Sequence, residues 1–498
     1  MAANASGQQS NDQIPLTVFV DKDKNKVVYA EAGKDFVDVL FSILTLPLGT
    51  IARLVSKDSN IEAVKFGSIS SLYQSVSNLD EQYLWSNTCK GMLLKPRNSM
   101  EPYCQKMKLN IDETEPLMYY FCEDKTCRIE NWYSLCTFKD QICTCGKLMN
   151  VVLPQKNNTE NGFVEETSTF VISDNLFVMP NLLRTSLSLF QKLGIKDIDA
   201  VDKQTVNISK NEAFDILKFS LISKTPLTDF IFKKVKLVSN LDPRNRLEFW
   251  MGELEFEKKP SDDSNMVVKF LRNWLGFWIG ELELKEEASD ESNMVVKLLR
   301  RKSNEQILFA EAKEDFADFV FSFLTFPLGG VLHMLQGFSF LSCVDNLYKS
   351  MTELCSARCL LSQELKDKLT KPPISMEFNV RNQILPIHGD YKDKSEPYRF
   401  VDPKSPIYGG FAKGPLTFMV TDDLVMSPMS SSNVVSYLER MNVPLNDLEE
   451  RVVSIGVKEG LRILKAALTT TSALTNGLSL SVMEQFFHDQ NSQSIDKS

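Results

Sequence analysis

Apolar residues near the start of the chain follow two successive periodic patterns. Leu16–Val20 alternates apolar and polar positions, and the polar segment DKDKNK separates it from Val27–Ala30, which predicts a β-hairpin. Across Phe36–Leu46, apolar residues recur every three or four positions, which predicts a buried helix. Pro47 cannot continue that helix, and Gly49 supplies a permissive backbone after it. The pattern therefore predicts a hairpin followed by a buried helix that ends at Pro-Leu-Gly.

The same pattern occurs a second time further along the chain. Residues 30–49 read AEAGKDFVDVLFSILTLPLG, and residues 310–329 read AEAKEDFADFVFSFLTFPLG. A later motif also recurs, as GFVEETSTFVISDNLFVMP at residues 162–180 and GFAKGPLTFMVTDDLVMSP at residues 410–428. Because the motifs keep their order, we interpret them as copies of one duplicated unit. The sequence predicts an α+β protein of two homologous lobes, each with β-hairpins and a buried helix ended by Pro-Leu-Gly.

The duplication divides the chain of 498 residues into segments. We predict a disordered N-terminal tail (1–13), a first lobe (14–235) with a Cys-rich insert (104–149), a linker (236–293), a second lobe without that insert (294–484) and a C-terminal tail (485–498). The linker contains its own tandem duplication, since residues 247–272 recur as residues 275–300. The second of these copies leads into the first hairpin of lobe two. The first copy leads only into more linker, so we expect it to be peripheral.

One pair of acidic residues is duplicated with the predicted helix. Asp35 and Asp38 lie in its first turns, and Asp315 and Asp318 hold the matching positions in the second copy. A carboxylate there interacts favourably with the positive end of the helix dipole. We favour this interpretation over a general acid/base pair, because such a pair needs surroundings that separate its two pKa values.

A second duplicated acidic motif lies between two apolar runs. Asp174-Asn175 in the first copy and Asp422-Asp423 in the second interrupt these runs, which predicts tight hairpin turns. Asp and Asn tolerate positive φ and often hydrogen-bond to nearby backbone. We therefore expect these side chains to stabilise their own turns.

The insert of lobe one contains two close pairs of cysteines, with the spacings CxxxxC and CxC: Cys122, Cys127, Cys143 and Cys145. Two pairs of thiols on two turns have the form of a structural zinc site, in which four sulfurs surround the ion tetrahedrally at about 2.3 Å. Gly146 follows the second pair and would let the backbone turn its amides toward the sulfurs. We predict one structural zinc in lobe one and none in lobe two, with buried or free thiols as the alternative. No catalytic residue and no other cofactor is predicted.

Charge and cysteine content narrow the functional classes. The formal net charge is −9, and no arginine-rich face with interleaved aromatic residues offsets it, so nucleic acid is not an expected partner. The N-terminus has neither a basic start nor an apolar run, unlike a secretory signal. Ten cysteines in such a chain indicate reduced thiols or metal ligands. We expect a soluble protein of the cytoplasm, with the nucleus as a further possibility.

One uncharged stretch is long enough to cross a bilayer. Phe319–Val344 contains no Asp, Glu, Lys or Arg, and a membrane-spanning helix needs roughly 20 apolar residues. The matching part of the first copy is interrupted by Arg53 and Lys57, and Pro327 and Gly337 interrupt the second. We therefore predict two buried helices rather than a membrane span.

Familiar catalytic motifs are missing from the sequence. It contains no GxGxxG after a strand, no GxxxxGK[ST], no HExxH and no GxSxG. The three histidines, His333, His388 and His488, do not occupy matching positions in the two copies. His333 lies on an apolar helix, where we expect a core residue. Histidine-based acid/base catalysis therefore has little support.

Four motifs together resemble a plant family known as domain of unknown function 674. They are VVYAEAGKDFVDVLFSILTLPLG, CTCGKLM at Cys143–Met149, TFVISDNLFVMP, and LISKTPLTD at Leu221–Asp229. The resemblance covers most of both lobes and implies tandem, soluble plant proteins, but no activity. Lobe two departs from the pattern, because it lacks the cysteines and has Ser472 and Ala473 where lobe one has Thr225 and Pro226. A function that requires two equal sites is therefore disfavoured.

These observations favour a non-enzymatic binding or scaffold protein that has a protein partner and a structural zinc site in lobe one. The alternative is a small-molecule-binding protein or enzyme with its site between the two lobes. A large cleft between the lobes with polar groups on its walls would favour the alternative. An exposed apolar patch on one lobe would favour the first hypothesis.

Overall fold

The computed structural model describes residues 13–114, 116–130, 134–153, 161–192, 194–195, 198–232, 293–387, 399–404 and 409–479. Three predicted segments lie almost entirely outside these residues: the N-terminal tail (1–13), the linker with its tandem duplication (236–293) and the C-terminal tail (485–498). The described parts of residues 1–235 and 294–498 form one compact unit.

Lobe one alternates strands and helices. Its described strands are β1 (Ile14–Asp21), β2 (Lys26–Ala32), β3 (Tyr120–Cys122), β4 (Ser134–Cys136), β5 (Gln141–Ile142), β6 (Leu148–Val152), β7 (Phe170–Ser173), β8 (Val178–Pro180) and β9 (Val201–Ile208). Its described helices are α1 (Lys34–Thr45), α2 (Leu48–Val55), α3 (Gly67–Asn78), α4 (Asn87–Leu94), α5 (Glu101–Cys104), α6 (Lys125–Glu130), α7 (Leu183–Lys192), α8 (Lys210–Ile222) and α9 (Pro226–Phe232).

Lobe two repeats most of this order. Its described strands are β10 (Met294–Arg301), β11 (Ile307–Ala312), β12 (Arg399–Phe400), β13 (Phe418–Thr421), β14 (Met426–Pro428) and β15 (Leu448–Ile455). Its described helices are α10 (Glu314–Ser322), α11 (Leu328–Met334), α12 (Ser342–Glu353), α13 (Ser356–Cys359), α14 (Gln363–Thr370), α15 (Ser431–Arg440) and α16 (Val457–Thr469).

Each lobe is built on a five-stranded antiparallel sheet. The strand order is β8-β7-β2-β1-β9 in lobe one and β14-β13-β11-β10-β15 in lobe two, which is the same topology. Even the irregularity of the first hairpin is repeated, between Phe19 and Val20 and between Leu299 and Arg300. The predicted fold class, α+β with two homologous lobes, is confirmed.

The duplicated helix lies in the core of each lobe. Every residue of α1 except Asp35 is buried, and the helix ends before Leu46, whose backbone is already extended ahead of Pro47. In lobe two the α-helical part is shorter, and one 3₁₀ turn, Phe323–Thr325, completes the same path to Pro327. Burying a Phe or Leu side chain contributes about 1.5–3 kcal/mol, so these helices supply much of the stabilising apolar contact.

The two Pro-Leu-Gly segments meet each other at the contact between the lobes. The Leu48 N–H donates to the Phe326 carbonyl at 2.9 Å, and the Leu328 N–H donates to the Leu46 carbonyl at 2.9 Å. The same residue of each copy thus makes the same bond to the other lobe. The sequence predicted only a helix stop at this motif. In the structure it also forms a reciprocal, two-fold-like contact between the lobes.

The glycines of this contact lie too close to the opposite lobe for a larger residue. A methyl group on Gly49 would lie 2.9 Å from the Leu324 carbonyl oxygen, and one on Gly329 would lie 3.0 Å from the Leu44 oxygen. We expect Gly49→Ala and Gly329→Ala each to lower the free energy of unfolding by about 1–3 kcal/mol, measured by urea denaturation.

Gly91 provides the control for these two substitutions. It lies inside α4, and nothing lies within 4 Å of a methyl group placed there. Gly91→Ala should therefore leave the stability unchanged or raise it by about 0.5–1 kcal/mol, because alanine is the better helix former. Equal effects of all three substitutions would contradict the close-contact explanation.

One helix of each lobe also packs against the other lobe. Helix α3 of lobe one packs against α16 and β14 of lobe two, and α12 of lobe two packs against α8 and β8 of lobe one. Matching hydrogen bonds accompany this packing. Ser68 Oγ donates to the Thr470 carbonyl at 2.7 Å, and Cys343 Sγ donates to the Ser223 carbonyl at 3.1 Å. Each lobe therefore contributes to the hydrophobic core of the other.

The acidic pair at the start of the duplicated helix differs from its prediction. Asp35 is partly exposed, but Asp38 is buried and accepts hydrogen bonds from the backbone N–H groups of Phe163 (2.8 Å) and Val164 (3.0 Å). Asp318 accepts the two matching bonds of lobe two, both at 2.7 Å. These carboxylates therefore fix the segment that follows Gly162 or Gly410, rather than chiefly meeting their own helix dipole.

The duplicated hairpin turns also need a correction. The turns form as predicted, and the second residue of each pair bonds within its own turn: Asn175 Oδ1 accepts from Ser173 Oγ and Asp423 Oδ1 accepts from Thr421 Oγ1, both at 2.6 Å. The first residue of each pair does not, because Asp174 accepts hydrogen bonds from the N–H and Oγ1 of Thr228, both at 2.8 Å. Asp422 does the same with Thr475, at 2.8 and 2.9 Å. Positive φ occurs at Leu176 (61°) rather than at the Asp or Asn. Each turn is thus tied to the helical segment that closes its lobe.

The uncharged stretch of lobe two forms short, mostly buried helices. Among the described residues, no helix is long and apolar enough to cross a membrane. His333, however, is exposed, and its Nδ1 lies 3.2 Å from the hydroxyl oxygen of Tyr348. The prediction that His333 is a core residue is therefore wrong, because it lies on the outward side of α11.

Candidate metal centre

The Cys-rich insert folds as a small sheet of its own, with the strand order β12-β4-β3-β6-β5. Four of these strands come from the insert, and β12 comes from lobe two, where it pairs in parallel with β4. The sequence predicted an insert that belongs to lobe one alone. The structure shows instead that a strand of lobe two completes its sheet.

The first pair of cysteines lies where β3 passes into α6. Cys122 is the last residue of the strand, and Cys127 lies in the first turn of the helix. Between them, Asp124 Oδ1 accepts the N–H groups of Thr126 (2.8 Å) and Cys127 (3.2 Å), an arrangement that starts a helix. These amides hold the pKa of Asp124 below its usual range. The Asp124 N–H itself points at Cys122 Sγ, at 3.4 Å.

The second pair lies on the turn between β5 and β6. The Cys143 N–H donates to the Lys147 carbonyl, and the Gly146 N–H donates to the Cys143 carbonyl, both at 2.8 Å. Gly146 has φ of 84°, a conformation that other residues adopt only with strain. The glycine beside the second pair therefore permits the tight turn that brings Cys143 and Cys145 to the same place.

The four sulfur atoms form one compact group. Cys122 Sγ lies 3.5 Å from Cys145 Sγ, Cys127 Sγ lies 3.7 Å from Cys143 Sγ, and all four lie within 4.8 Å of one another. Sulfurs at 2.3 Å from a tetrahedral ion are about 3.8 Å apart, so the group has nearly the required size. All ten cysteines of the chain are free thiols, so these contacts are not disulfides.

Burial differs among the four thiols. Cys122, Cys127 and Cys143 are buried, whereas Cys145 is exposed. Burial raises the pKa of Cys122 to about 12. Burial acts in the same direction on Cys143, but hydrogen bonds from the Cys145 amide and the Cys127 thiol outweigh it and lower its pKa to about 7. The group therefore accommodates one thiolate readily, and a bound cation would displace the remaining protons.

A fifth cysteine lies nearby but outside this group. Cys136 is buried in β4, where it accepts a hydrogen bond from the Phe138 N–H at 3.5 Å, and burial raises its pKa to about 11. It packs in the same apolar cluster as three of the candidate ligands without joining the four sulfurs. Elsewhere in the described residues, no further group of three or more metal-ligating side chains converges.

A small cavity lies between the lobes. Its volume is about 20 Å³, which accommodates about one water molecule. It is lined by residues of both lobes: Ser99, Leu117, Tyr119, Thr137, Ser375, Met376 and Glu377. A cavity of this size cannot hold a metabolite or a nucleotide.

A comparison with family models identifies what the duplicated unit is. The model described as "Protein of unknown function (DUF674)" matches residues 10–273 and residues 279–458. Together these two matches cover most of the chain and both lobes. The chain belongs to the DUF674 family. The resemblance that the four sequence motifs indicated is thereby confirmed.

Membership of DUF674 assigns no activity. No curated protein and no solved structure matches the chain. The four cysteines all lie within the first DUF674 match, and the second match has none at corresponding positions. Within this chain, a DUF674 unit therefore keeps its fold without them, and the cysteine group is a property of lobe one.

Proposed function

We propose that this protein is a non-enzymatic binding or scaffold protein that carries a structural zinc in lobe one and binds a protein partner through helix α7. The observation that carries the proposal is a set of three exposed leucines close together at the start of α7 and on it. Leu182 is 60% exposed, Leu183 is 78% exposed and Leu187 is 49% exposed. Leucines on the outer side of a packed helix are the kind of apolar patch that partners cover.

The inner side of α7 explains why the helix is held in place. Leu189 and Phe190 pack against the outer face of the lobe-one sheet, and the rings of Phe190 and Tyr29 lie 5.6 Å apart. The exposed leucines are therefore not needed for this contact. The equivalent helix of lobe two, α15, has Ser430 and Ser431 at the positions that match Leu182 and Leu183. The position of Leu187 is apolar in both lobes, because its match, Val435, is 53% exposed. The difference between the lobes therefore lies in Leu182 and Leu183.

Charge around α7 indicates what the partner carries. The chain has a net charge of −9, yet residues 181–195 contain Arg184 and Lys192 and no acidic residue. Lys203 lies on the same face of the lobe, 5.7 Å from the ring centre of Phe19. An amphipathic helix with an apolar face and acidic flanks would match both the leucines and the positive charge.

The alternative, a small-molecule site or active site between the lobes, has weaker support. The cavity there has room for about one water molecule. The duplicated carboxylates, which could have formed an acid/base pair, bind backbone amides or threonines instead. Ten free thiols favour a reducing compartment, which we propose to be the cytoplasm or the nucleus.

Photocrosslinking tests the proposed docking helix. A photoreactive amino acid at position 183 should capture one recurrent partner, through an apolar segment flanked by acidic residues. The same amino acid at position 431, the matching position of lobe two, should not. The captured segment is identified by mass spectrometry. Equal capture at both positions, or capture of a second copy of this chain alone, would contradict the proposal.

The double substitution Leu182→Ser, Leu183→Ser tests the same surface without a probe. It copies the residues of lobe two, so the melting temperature should not change. The dissociation constant for the captured partner segment should rise about 10- to 100-fold, because each leucine buried at an interface contributes on the order of 1 kcal/mol. Isothermal titration calorimetry measures this constant. Unchanged affinity would show that α7 is not the contact.

A further inference from the structure

We infer that metal binding at the cysteine group controls the docking of residues 399–404 of lobe two onto lobe one, so that the metal acts as a clamp between the lobes. The inference rests on the zinc site proposed above and adds a consequence for lobe two. The sheet with the order β12-β4-β3-β6-β5, called the metal-site sheet below, contains one strand from lobe two, β12.

Among the described residues, strand β12 pairs with no strand of lobe two. In the repeat, Phe400 of β12 matches Phe121 of β3, the strand that ends at the candidate ligand Cys122. Lobe two lacks the insert that surrounds β3 in lobe one. Its copy of the strand therefore pairs with β4 of lobe one, and the Val401 N–H donates to the Leu135 carbonyl at 2.8 Å. An edge strand of two residues cannot be stable without such pairing.

The docked segment contacts the apolar cluster that includes the ligands. Val401 packs against a cluster whose buried members are Cys122, Cys127, Cys136, Cys143 and Met149. Three of these residues are candidate ligands, and a bound ion would fix their positions. Without the ion, four unlinked thiols must hold this cluster together, and within the sheet β4 pairs with β3 over only two residue pairs, Tyr120 with Cys136 and Phe121 with Leu135. The surface that receives Val401 is therefore expected to depend on the metal.

Beyond Val401, the segment continues into the interior of lobe two. The side chain of Lys404 is fully buried, forms an ion pair with Asp402 at 3.0 Å and donates a hydrogen bond to the Glu377 carbonyl. Glu377 in turn faces Arg97 of lobe one at 3.8 Å. Residues 399–404 thus connect the metal-site sheet at one end with a buried ion-pair group at the other.

Arg97 strengthens the connection from the side of lobe one. Its guanidinium lies 4.2 Å from the ring centre of Phe138 and donates to the Thr137 carbonyl at 2.7 Å. Both residues directly follow β4. A change in the position of β4 would therefore reach Glu377 through Arg97 as well as through β12.

The polar groups at this contact come from both lobes. Thr137 of lobe one and Ser375 and Glu377 of lobe two line the cavity of about 20 Å³, which accommodates about one water molecule. Because Thr137 directly follows β4, a change in the position of β4 would also alter this contact.

Hydrogen exchange of the full chain tests the clamp. Zinc-loaded protein and protein treated with a chelator are compared by mass spectrometry. We expect amide exchange of residues 399–402 to become at least about tenfold faster without zinc, because Val401 loses its hydrogen bond. The hairpin of β10 and β11 should stay protected. If amide exchange of that hairpin became faster by the same factor, the protein would be unfolding as a whole and the inference would be overturned.

Two variants separate the role of the ligands from a general effect of cysteine loss. Cys145 and Cys355 are the two exposed cysteines of the chain. Cys145→Ser should reproduce the faster exchange of residues 399–402 in the presence of zinc, whereas Cys355→Ser should not. If both variants or neither of them change the exchange, the inference is wrong.

Thermodynamic linkage between zinc binding and the docking of residues 399–404 allows a second measurement, the zinc affinity. If zinc favours the docked segment, the docked segment must favour zinc by the same factor. Val401→Ser should therefore weaken zinc binding about tenfold in competition with a chromophoric chelator. Bound zinc together with unchanged exchange and unchanged affinity would overturn the clamp and leave the zinc site standing. Absence of zinc binding would overturn both.

Discussion

Purified protein should contain one zinc ion per chain, and the double variant Cys143→Ser, Cys145→Ser should contain none. The expectation follows from four sulfurs within 4.8 Å of one another on two tight turns. A four-cysteine zinc site supplies on the order of 10 kcal/mol to the folding of its segment. We therefore expect the insert of the double variant to be cleaved rapidly by protease at sites that are protected in the wild type.

The control for this experiment is Cys136→Ala. Cys136 packs in the same cluster but lies outside the four sulfurs, so its loss should leave the zinc content at one per chain. Elemental analysis measures the metal, and limited proteolysis measures the order of the insert. Protein without zinc after purification in zinc-containing medium would identify the four residues as ordinary thiols.

Much of the fold could be predicted from the sequence because the sequence contains two copies of the same unit. Alternation before the turn DKDKNK and the helical spacing after Phe36 were visible in both copies, and chance similarity cannot repeat such a pattern in order. The four cysteines could be grouped for a related reason. The members of each pair are close in sequence, so each pair lies on one local turn, and only the approach of the two turns depended on the tertiary fold.

What the sequence could not show are the contacts between the lobes. Pro47 and Pro327 predict where a helix ends, but nothing local indicates that Leu48 donates to Phe326. The same holds for β12, which is two residues long and becomes a strand only because β4 lies beside it. Such features depend on residues far apart in the chain, for which one sequence gives no periodicity.

The role of Asp38 was missed for a similar reason. A helix-dipole interpretation uses only the residue and its position in the helix. The structure adds the N–H groups of Phe163 and Val164, which come from a distant segment. The duplicated glycine before them, Gly162 or Gly410, was a usable signal. A methyl group there would lie 2.0 or 1.9 Å from the carboxylate oxygen of Asp38 or Asp318, so only glycine fits.

The two copies of this carboxylate differ in the charge beside them. In lobe one, Lys34 Nζ lies 2.8 Å from Asp38 Oδ2, and burial nevertheless raises the pKa of Asp38 to about 6. In lobe two, Glu314 replaces Lys34. Burial raises the pKa of Asp318 to about 7, and repulsion from Glu314 raises it further. The hydrogen bonds from the two backbone amides and the positive charge of Lys404 act in the opposite direction but do not cancel these effects.

These shifts determine how stability depends on pH. The folded pKa of Asp318 is raised above its unfolded value of about 4, so the folded state holds a proton more tightly. The resulting stabilisation is complete below about pH 4 and is lost as the pH rises through about 7. At pH 8, the protein therefore carries the cost of a buried, ionised carboxylate.

Asp318→Asn should consequently stabilise the protein at pH 8, by on the order of 2–4 kcal/mol, and by less than half as much at pH 5, where only the unfolded state has lost the proton. The asparagine oxygen can still accept the two backbone N–H groups that Asp318 accepts at 2.7 Å. Asp38→Asn is the matched control and should gain less at pH 8, because it also removes the ion pair with Lys34. Urea denaturation of the wild type and both variants at each pH measures the differences, and protonation of the cysteine group affects all three proteins alike. A loss of stability in Asp318→Asn at pH 8, or a gain that does not change with pH, would show that burial does not destabilise the ionised form of Asp318.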